Sequence, residues 1–214
     1  MYLLNQAASS LSYTSSTKSR IFGQFERGVG QQGTYLFPVS NISRPSYYNA
    51  ATLITNTIPS TGSVLTEFFT SSPGNAGLPL ADVSADPGVE VDSAYTAGYW
   101  SMTAKNSFSS SNYGVTLEAE GFTNSIDTVR DITRVIKRTG TGNWTLDGVH
   151  SEASGNLIKR NNLTGTILPA GTQFGLGRAN PLITDHPDDQ TVCEMTYPSF
   201  TVVASGAGPL TYVV

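Results

Sequence analysis

A repeated pattern of short apolar segments, each closed by Gly, Pro or Asn, constrains this chain more than any other feature. Residues 113–119 give the clearest case, because Tyr113, Val115, Leu117 and Ala119 occupy every second position. A period of two is typical of a half-buried strand, whose successive side chains point to opposite faces. About nine such segments, with turn signals every ~8–12 residues, favour antiparallel pairing. The predicted fold is an all-β antiparallel sandwich of jelly-roll or immunoglobulin-like type with a two-stranded C-terminal tail.

Composition excludes several other classes for these 214 residues. Only 13% are charged, which argues against helical bundles and coiled coils. The aromatic and β-branched content is too high for a disordered chain. A net charge of −4 gives no basic footprint for nucleic acid. Few charges, many hydroxyls and 21 Gly predict an extracellular β protein.

Further strands are predicted at residues 20–27, 34–39, 51–55, 63–69, 99–103, 157–159 and 172–176. In the second of these, Tyr35, Phe37 and Val39 share one face, and Pro38 suits an edge or a strand end. Residues 144–149 are predicted to be a hairpin partner. Residues 71–98 are predicted to be a long irregular connection, because Pro and Gly recur there.

Residues 125–138 are ambiguous between a helix and a strand. Ile126, Val129 and Ile136 fit a helical spacing, and Ser125 could cap a helix. β-Branched residues dominate the segment, however, and they disfavour helices. We therefore predict a strand at residues 132–137.

The chain divides by composition into four parts. Residues 1–19 are a Ser/Thr-rich leader, in which one or two short strands are an alternative, or the end of a preceding module. Residues 20–180 form the sandwich, and residues 181–189 read as a linker. Residues 190–214 carry predicted strands at 199–204 and 210–214. Since two strands alone are not a stable domain, this tail must pair with the body, with another chain or with sequence beyond this one.

No secretory signal peptide and no membrane-spanning segment is visible in the sequence. The chain is then either a cytosolic protein or a mature or excised piece of a longer one, without direct membrane insertion, and the extracellular composition favours the second. The single Cys193 has no internal disulfide partner and is expected to be a small buried residue.

Catalytic motifs are missing from the sequence. There is no Gly-x-Ser-x-Gly elbow, no Walker loop, no His-Glu-x-x-His and no Cys-x-x-Cys. The two histidines, His150 and His186, are expected at the surface. No catalytic, cofactor-binding or metal-binding residue is therefore assigned, and the chain is predicted not to be an enzyme.

Two groups of residues suggest binding. Carboxylates that could supply the oxygen ligands calcium prefers lie at Asp82, Asp86, Glu90 and Asp92, and again at Asp185, Asp188 and Asp189. Aromatic residues that could form a platform for sugar rings lie at Tyr47, Tyr48, Tyr95, Tyr99 and Trp100, although core packing is the commoner role.

Charged strand faces and glycosylation triplets complete the candidates. Basic residues at Arg130, Arg134, Lys137 and Arg138 are predicted to form a solvated strand face that pairs with acids. Glu118 and Glu120 are predicted to lie on a solvated face of another strand. Asn-x-Ser/Thr triplets begin at Asn41, Asn143 and Asn162.

Five phrases in a fixed order resemble a module of very large secreted surface proteins of the Bacteroidota, exported by the type IX system. They lie at residues 23–27, 33–39, 98–101, 135–138 with Asn143-Trp144, and 174–177, and so cover about residues 20–180. The resemblance implies a role in adhesion, matrix or surface filaments and carries no catalytic residues with it.

The tail resembles the opening of an immunoglobulin-like repeat. The matching phrases are residues 187–191, Val192-Cys193-Glu194 and residues 199–202. The resemblance implies a partial repeat or strands that are donated to a neighbour.

The sequence thus favours a non-enzymatic extracellular structural or adhesive module, with filament assembly by strand exchange as one form of it. Its partners would be copies of itself or neighbouring modules of a larger surface protein. The alternative is a carbohydrate-binding module that stacks Tyr and Trp on glycans, with calcium as an optional aid. A hydrolase has no positive feature beyond the presence of Ser, His and Asp.

Overall fold

The computed structural model describes residues 1–12, 18–84, 88–122, 133–151, 155–167, 169–185, 189, 191 and 199–205. These residues form an all-β sandwich, as predicted. Their one helical element is a 3₁₀ turn at Ala8–Ser10. Within these ranges, no helix has the length and apolarity needed to span a membrane.

The larger sheet has nine strands and is centred on the long strand β15. Its main order is β1 (Tyr2–Leu3), β3 (Phe25–Val29), β7 (Gly62–Phe69), β10 (Tyr99–Lys105), β15 (Thr172–Asp185), β9 (Val89–Ala94) and β8 (Leu80–Asp82). Two more strands, β12 (Thr133–Thr139) and β16 (Val203–Ser205), also pair with β15. All pairs in this sheet are antiparallel except β1 with β3.

The second sheet is antiparallel and has five strands. Its order is β13 (Val149–Ser151), β14 (Leu157–Thr164), β11 (Asn112–Glu118), β6 (Ala51–Thr55) and β4 (Gly33–Phe37). A short parallel pair, β2 (Ile21–Phe22) with β5 (Val39–Ser40), lies beside them. Pro38 separates β4 from β5, where its missing N–H costs no ladder bond.

The main core lies between the two sheets. Phe25, Phe68, Trp100 and Phe174 of the larger sheet belong to the same buried cluster as residues of the smaller sheet, including Tyr35, Phe37, Leu53, Tyr113, Val115 and Leu117. Burial of this apolar surface on both inner faces is the main force that holds the sheets together.

A second, smaller core lies on part of the larger sheet's other face. Val89 and Val91 of β9 cluster there with Ile136 of β12, Trp144 and Ala179. The indole Nε1 of Trp144 donates to the carbonyl of Gly74 at 2.8 Å. The β8–β9 hairpin and the loop that holds Trp144 therefore make β12 and β15 buried on both faces locally.

The N-terminal segment lies in a track made by glycines. A Cβ on Gly28 would stand 2.5 Å from the carbonyl oxygen of Leu4, and one on Gly33 would stand 2.8 Å from the Cβ of Ala8. β1 pairs with β3 alongside this track. The leader is thus a short strand and a 3₁₀ turn in the described part, while residues 13–17 lie outside it.

The side chain of Arg27 holds the N-terminal segment in place by hydrogen bonding. Its guanidinium is buried, lies 5.0 Å from the ring centre of Tyr35, and donates to the carbonyls of Leu36 and Ala8 at 2.9 and 2.6 Å. The Tyr35 hydroxyl donates to the carbonyl of Gln6 at 3.0 Å. The segment therefore joins β3 of one sheet to the edge strand β4 of the other.

Most strand predictions are confirmed. β6 has the predicted bounds, and Tyr35, Phe37 and Val39 are all buried. The predicted strand at 132–137 is confirmed from Thr133 onward as β12. Residues 125–132 of the ambiguous segment lie outside the described residues. The predicted first strand at 20–27 is divided at Gly23, whose φ of +89° interrupts the ladder between β2 and β3.

The prediction of an irregular connection at residues 71–98 is wrong in its second half. β8 and β9 lie there and pair with each other, and β9 also pairs with β15. Val89 and Val91 alternate with Glu90 and Asp92, so the period of two was present. Proline and glycine in the turns outweighed it in the prediction.

In the predicted hairpin partner at 144–149, Thr145 makes a single bridge with Lys137, and Val149 begins β13, which pairs with β14 instead. Farther along, β15 continues to Asp185, so residues 181–185 of the predicted linker are strand. In the tail, the predicted strand at 199–204 is found as β16 (Val203–Ser205), and residues 206–214 lie outside the described part.

Gly28→Ala should destabilise the protein by ~1–3 kcal/mol, because the new methyl group would overlap the Leu4 carbonyl. The substitution is made both in the full chain and in a chain lacking residues 1–7, and chemical denaturation measures its cost in unfolding free energy in each. The cost should shrink strongly in the shortened chain. An equal cost in both chains would show that the contact with Leu4 is not its cause.

Candidate functional site

The predicted aromatic platform does not exist as a unit, because two of its members are core residues. Trp100 is 0% exposed and Tyr48 is 4% exposed. The Trp100 indole stacks on Phe122 at 5.4 Å between ring centres, and its Nε1 donates to the carbonyl of Asn49 at 2.6 Å. Neither face of this indole can receive a sugar ring.

The other three aromatic residues lie in different surroundings. Tyr47 is 40% exposed and carries the guanidinium of Arg44 over its ring at 4.8 Å. Tyr95 is half-buried, with its ring edge against Phe122. Tyr99 is half-buried on the outer face of the larger sheet, stacked on Phe69 at 5.0 Å with an interplanar angle of 12°.

The acidic stretch is divided in the same way. Asp82 is 3% exposed, whereas Glu90 and Asp92 are half-buried on β9. Asp86 lies outside the described residues. Among the residues that the structure describes, no group of three potential metal ligands comes together. For the second predicted calcium cluster, nothing is described of the Asp185 side chain, and Asp188 lies outside the described part.

Asp82 is the centre of a buried charge cluster with two arginines. Its Oδ2 lies 2.8 Å from Nη1 of Arg160 and 3.1 Å from Nε of Arg134. Its Oδ1 accepts from the amide and the hydroxyl of Ser84 at 3.1 and 2.5 Å. Arg134 belongs to the larger sheet and Arg160 to the smaller one, so one carboxylate joins the β8–β9 hairpin to both layers.

Backbone carbonyls also bind the guanidinium of Arg160. Nη2 of Arg160 donates to the carbonyls of Leu146 and Gly148 at 2.9 and 3.1 Å, and its Nε donates to the carbonyl of Asp147. Burial by itself raises the pKa of Asp82, but hydrogen bonds from Arg160 and Ser84 and the charge of Arg160 hold that pKa below its ordinary value. This cluster occupies the carboxylate that a calcium site at residues 82–92 would need.

The predicted basic face is not solvated, since Arg134 and Arg138 are only 1% and 7% exposed. The predicted pairing with acids is found for two of its described members, Arg134 with Asp82 and Lys137 with Asp147. Arg130 lies outside the described residues. Ile136 lies between Arg134 and Arg138 on the same face of β12 and is buried in the smaller core. An apolar residue at that position indicates that the face is covered.

Glu118 and Glu120 are also less solvated than predicted. Glu120 pairs with Lys18 and accepts from the amide of Tyr48 at 2.8 Å. Glu118 lines a pocket of about 210 Å³ together with Lys18, Tyr48, Thr116 and others. Burial raises the pKa of Glu118, and the charge of Lys18 opposes this shift. The pocket is a small mixed polar and apolar depression on the outer face of the second sheet.

The remaining predicted positions are described only in part. His150 lies half-buried on β13, and its amide donates to the Ser84 hydroxyl at 3.0 Å. His186 and Cys193 lie outside the described residues. Of the three glycosylation triplets, Asn143 and Asn162 are exposed, while the Asn41 side chain donates to the Phe68 carbonyl at 3.2 Å.

The C-terminal half of β15 is an open edge that sequence reasoning missed. Its last pair with β9 is Pro181 with Val89, and beyond it Leu182, Ile183 and Asp185 pair with Ser205, Ala204 and Val203 of β16. Within the described part of the chain, residues 182–185 pair with β16 alone. We call this two-stranded unit, residues 182–185 with β16, the C-terminal ribbon. Since no second strand of the described residues pairs with residues 182–185, this end of β15 is the candidate interaction site of the fold.

Comparisons with known proteins find no match to this chain among family models, curated proteins or solved structures. The likeness to modules of Bacteroidota surface proteins therefore stays a prediction.

Asp82→Asn should destabilise the protein by about 3–5 kcal/mol, because it removes the buried carboxylate that both guanidinium groups face. Glu90→Gln, one strand away and half-buried, is the matched control and should change stability by less than about 0.5 kcal/mol. Urea unfolding at neutral pH measures both. Similar small effects of the two substitutions would contradict the structural role of the cluster.

The same cluster predicts a loss of stability in acid. The pKa of Asp82 is lowered by folding, so its contribution is complete above the ordinary aspartate pKa of ~3.9 and is lost as pH falls through the lower folded value. Unfolding free energy measured from pH 6 down to about pH 2.5 should fall more steeply for the natural chain than for Asp82→Asn. Parallel curves would refute the assignment.

Proposed function

We propose that this chain is a non-enzymatic, extracellular structural or adhesive β-sandwich module that joins copies of itself, or neighbouring modules of a larger surface protein, through its C-terminal ribbon. The observation that carries the proposal is the continuation of β15 past its last partner in the body, where β16 is the one strand of the described residues that pairs with it.

Strand physics supports this use of the ribbon. A two-stranded unit is marginally stable in water, and an unpaired strand edge is a template for pairing with another chain. Strand addition gains affinity from main-chain hydrogen bonds and so needs little from side-chain chemistry. A third strand from a neighbour would complete the C-terminal ribbon.

The geometry of such a contact also favours assembly. A strand donated from the end of one copy to a different edge of the next is a heterologous, head-to-tail contact, and contacts of this kind generate open filaments when the rotation does not close. A filament subunit is therefore the specific form of the proposal.

Composition and resemblance support the extracellular setting. The chain has few charges and many turn residues and hydroxyls. Its phrases at 23–27, 33–39, 98–101, 135–138 with Asn143-Trp144, and 174–177 resemble those of adhesive surface modules of the Bacteroidota. Assignment to that group of proteins is part of the proposal.

Removing residues 184–214 should abolish self-association, and Ala204→Pro should weaken it by at least about tenfold, or ~1.4 kcal/mol. Ala204 pairs with Ile183, and proline both removes an N–H donor and resists a paired strand. Thr201→Pro, three residues earlier at an exposed position outside any strand, is the matched control. Light scattering and negative-stain electron microscopy give the readout.

Circular dichroism must show that each variant keeps its β-sheet signal. If assemblies persist after the truncation, the ribbon is not the connector and the assembly proposal is wrong. If Thr201→Pro weakens assembly as much as Ala204→Pro, pairing at β16 is not the cause.

A further inference from the structure

The outer face of the larger sheet carries a row of polar side chains across five neighbouring chain segments. Glu67, Ser101, Gln173 and Arg138 stand opposite one another on β7, β10, β15 and β12. Gln24 extends the row, since its side-chain amide donates to Glu67 at 2.9 Å. From Arg138 to Glu67 the row spans three strand spacings, about 14 Å.

An aromatic pair borders this row. Phe69 and Tyr99 are direct cross-strand partners on β7 and β10, and their stacked rings are half-buried. Their neighbours Phe68 and Trp100 point into the core, which places Phe69 and Tyr99 on the outer face. The face thus combines flat apolar rings with hydroxyl, amide and charged groups.

Arg138 is held rigidly at one end of the row. Its guanidinium lies over the Trp144 ring at 4.1 Å, and its Nε donates to Oε1 of Gln173 at 2.8 Å. Burial lowers the pKa of Arg138, and the Tyr99 phenol acts in the opposite direction. The guanidinium is therefore oriented before any ligand arrives.

Arg138 differs from the other buried arginines in what its terminal nitrogens meet. Arg134 and Arg160 face Asp82, and Arg27 donates from both terminal nitrogens to carbonyls. Among the described residues, Arg138 has a hydrogen-bond partner at Nε alone. With 7% exposure, it offers two fixed donors and a positive charge that no carboxylate of the described chain balances.

We propose that this outer face binds an acidic oligosaccharide through one uronic acid residue. The planar guanidinium of Arg138 matches a carboxylate with two parallel hydrogen bonds. The apolar face of the sugar ring packs on the Tyr99–Phe69 pair, and its hydroxyls meet Ser101 and Gln173. Glu67 repels a second carboxylate at the far end of the row, so the acidic residue is flanked by a neutral sugar there.

Tyr99 is the one predicted platform residue that takes part, and Trp100 and Tyr48 do not. The ligand site is independent of the C-terminal ribbon, because it uses β7, β10, β12 and the first residues of β15. Sugar binding and self-association can therefore succeed or fail separately.

The test is titration of the full chain with uronic-acid oligosaccharides (glucuronate-, galacturonate- and mannuronate-containing) and with the carboxyl-reduced form of each. NMR shifts of the Arg138 side-chain Nε–H and calorimetry give the readouts. At least one acidic probe should bind at least about tenfold more tightly than its reduced form. No binding across the panel, or equal binding of both forms, would overturn the proposal.

Four variants assign the contacts. Arg138→Gln and Tyr99→Ala should each weaken binding by at least about tenfold, and Arg138→Lys should restore only part of the loss, because it keeps the charge without the fork. Arg178→Gln is the control, because Arg178 is an exposed arginine on β15, the strand that carries Gln173. This substitution should leave binding unchanged. Since Arg138 is buried, the NMR shift in the natural chain remains decisive if Arg138→Gln unfolds.

A short poly-glutamate peptide distinguishes the ligand class. If it shifts the Arg138 resonance and binds as tightly as the acidic sugars, and Tyr99→Ala has no effect, the site recognises carboxylates of a protein partner, and the proposal of a sugar ligand is wrong. Weaker binding of the peptide than of the acidic sugar supports the role of the aromatic pair.

Discussion

The buried carboxylate of Asp82 is the interaction on which the rest of this structure depends. It stands between Arg134 of one sheet and Arg160 of the other, and all three side chains are nearly inaccessible. Buried charges are tolerated only when they are paired and hydrogen-bonded, so the strands that carry them must keep their mutual positions. The β8–β9 hairpin is thereby fixed over β12 and β15, and the small core around Trp144 and Val91 forms beneath it.

The proposed ligand face inherits its geometry from the same arrangement. Trp144 belongs to the small core, and its ring supports the guanidinium of Arg138. The side chain of Gln173 on β15 then fixes the direction of that guanidinium. At the opposite end of the sheet, Arg27 and the glycine track hold the N-terminal segment against β3. One edge of the larger sheet is thus covered by the chain itself, whereas the far end of β15 continues into the C-terminal ribbon.

Local pattern was enough to predict the sandwich, because period-two alternation at residues such as Tyr113, Val115 and Leu117 reports burial on one face directly. It was not enough to predict the charge cluster, since Asp82 and Arg160 are 78 positions apart and only the folded topology brings them together. Trp100 could have been placed correctly, because it shares its face with Met102. Arg134 and Arg138 likewise flank Ile136, which marks their face as covered, but a run of basic residues looks like a solvated surface when read by charge alone.

The central claim is that the C-terminal ribbon of one copy is completed by a strand of a neighbour. Hydrogen exchange followed by mass spectrometry on the full chain, at protein concentrations spanning about two orders of magnitude, tests it most directly, because a strand shared with a neighbour protects the main-chain amides that it pairs with. The account predicts that amides of residues 182–185 and 204–205 become protected as concentration rises, while the body does not change. Protection of the ribbon that is independent of concentration would contradict it.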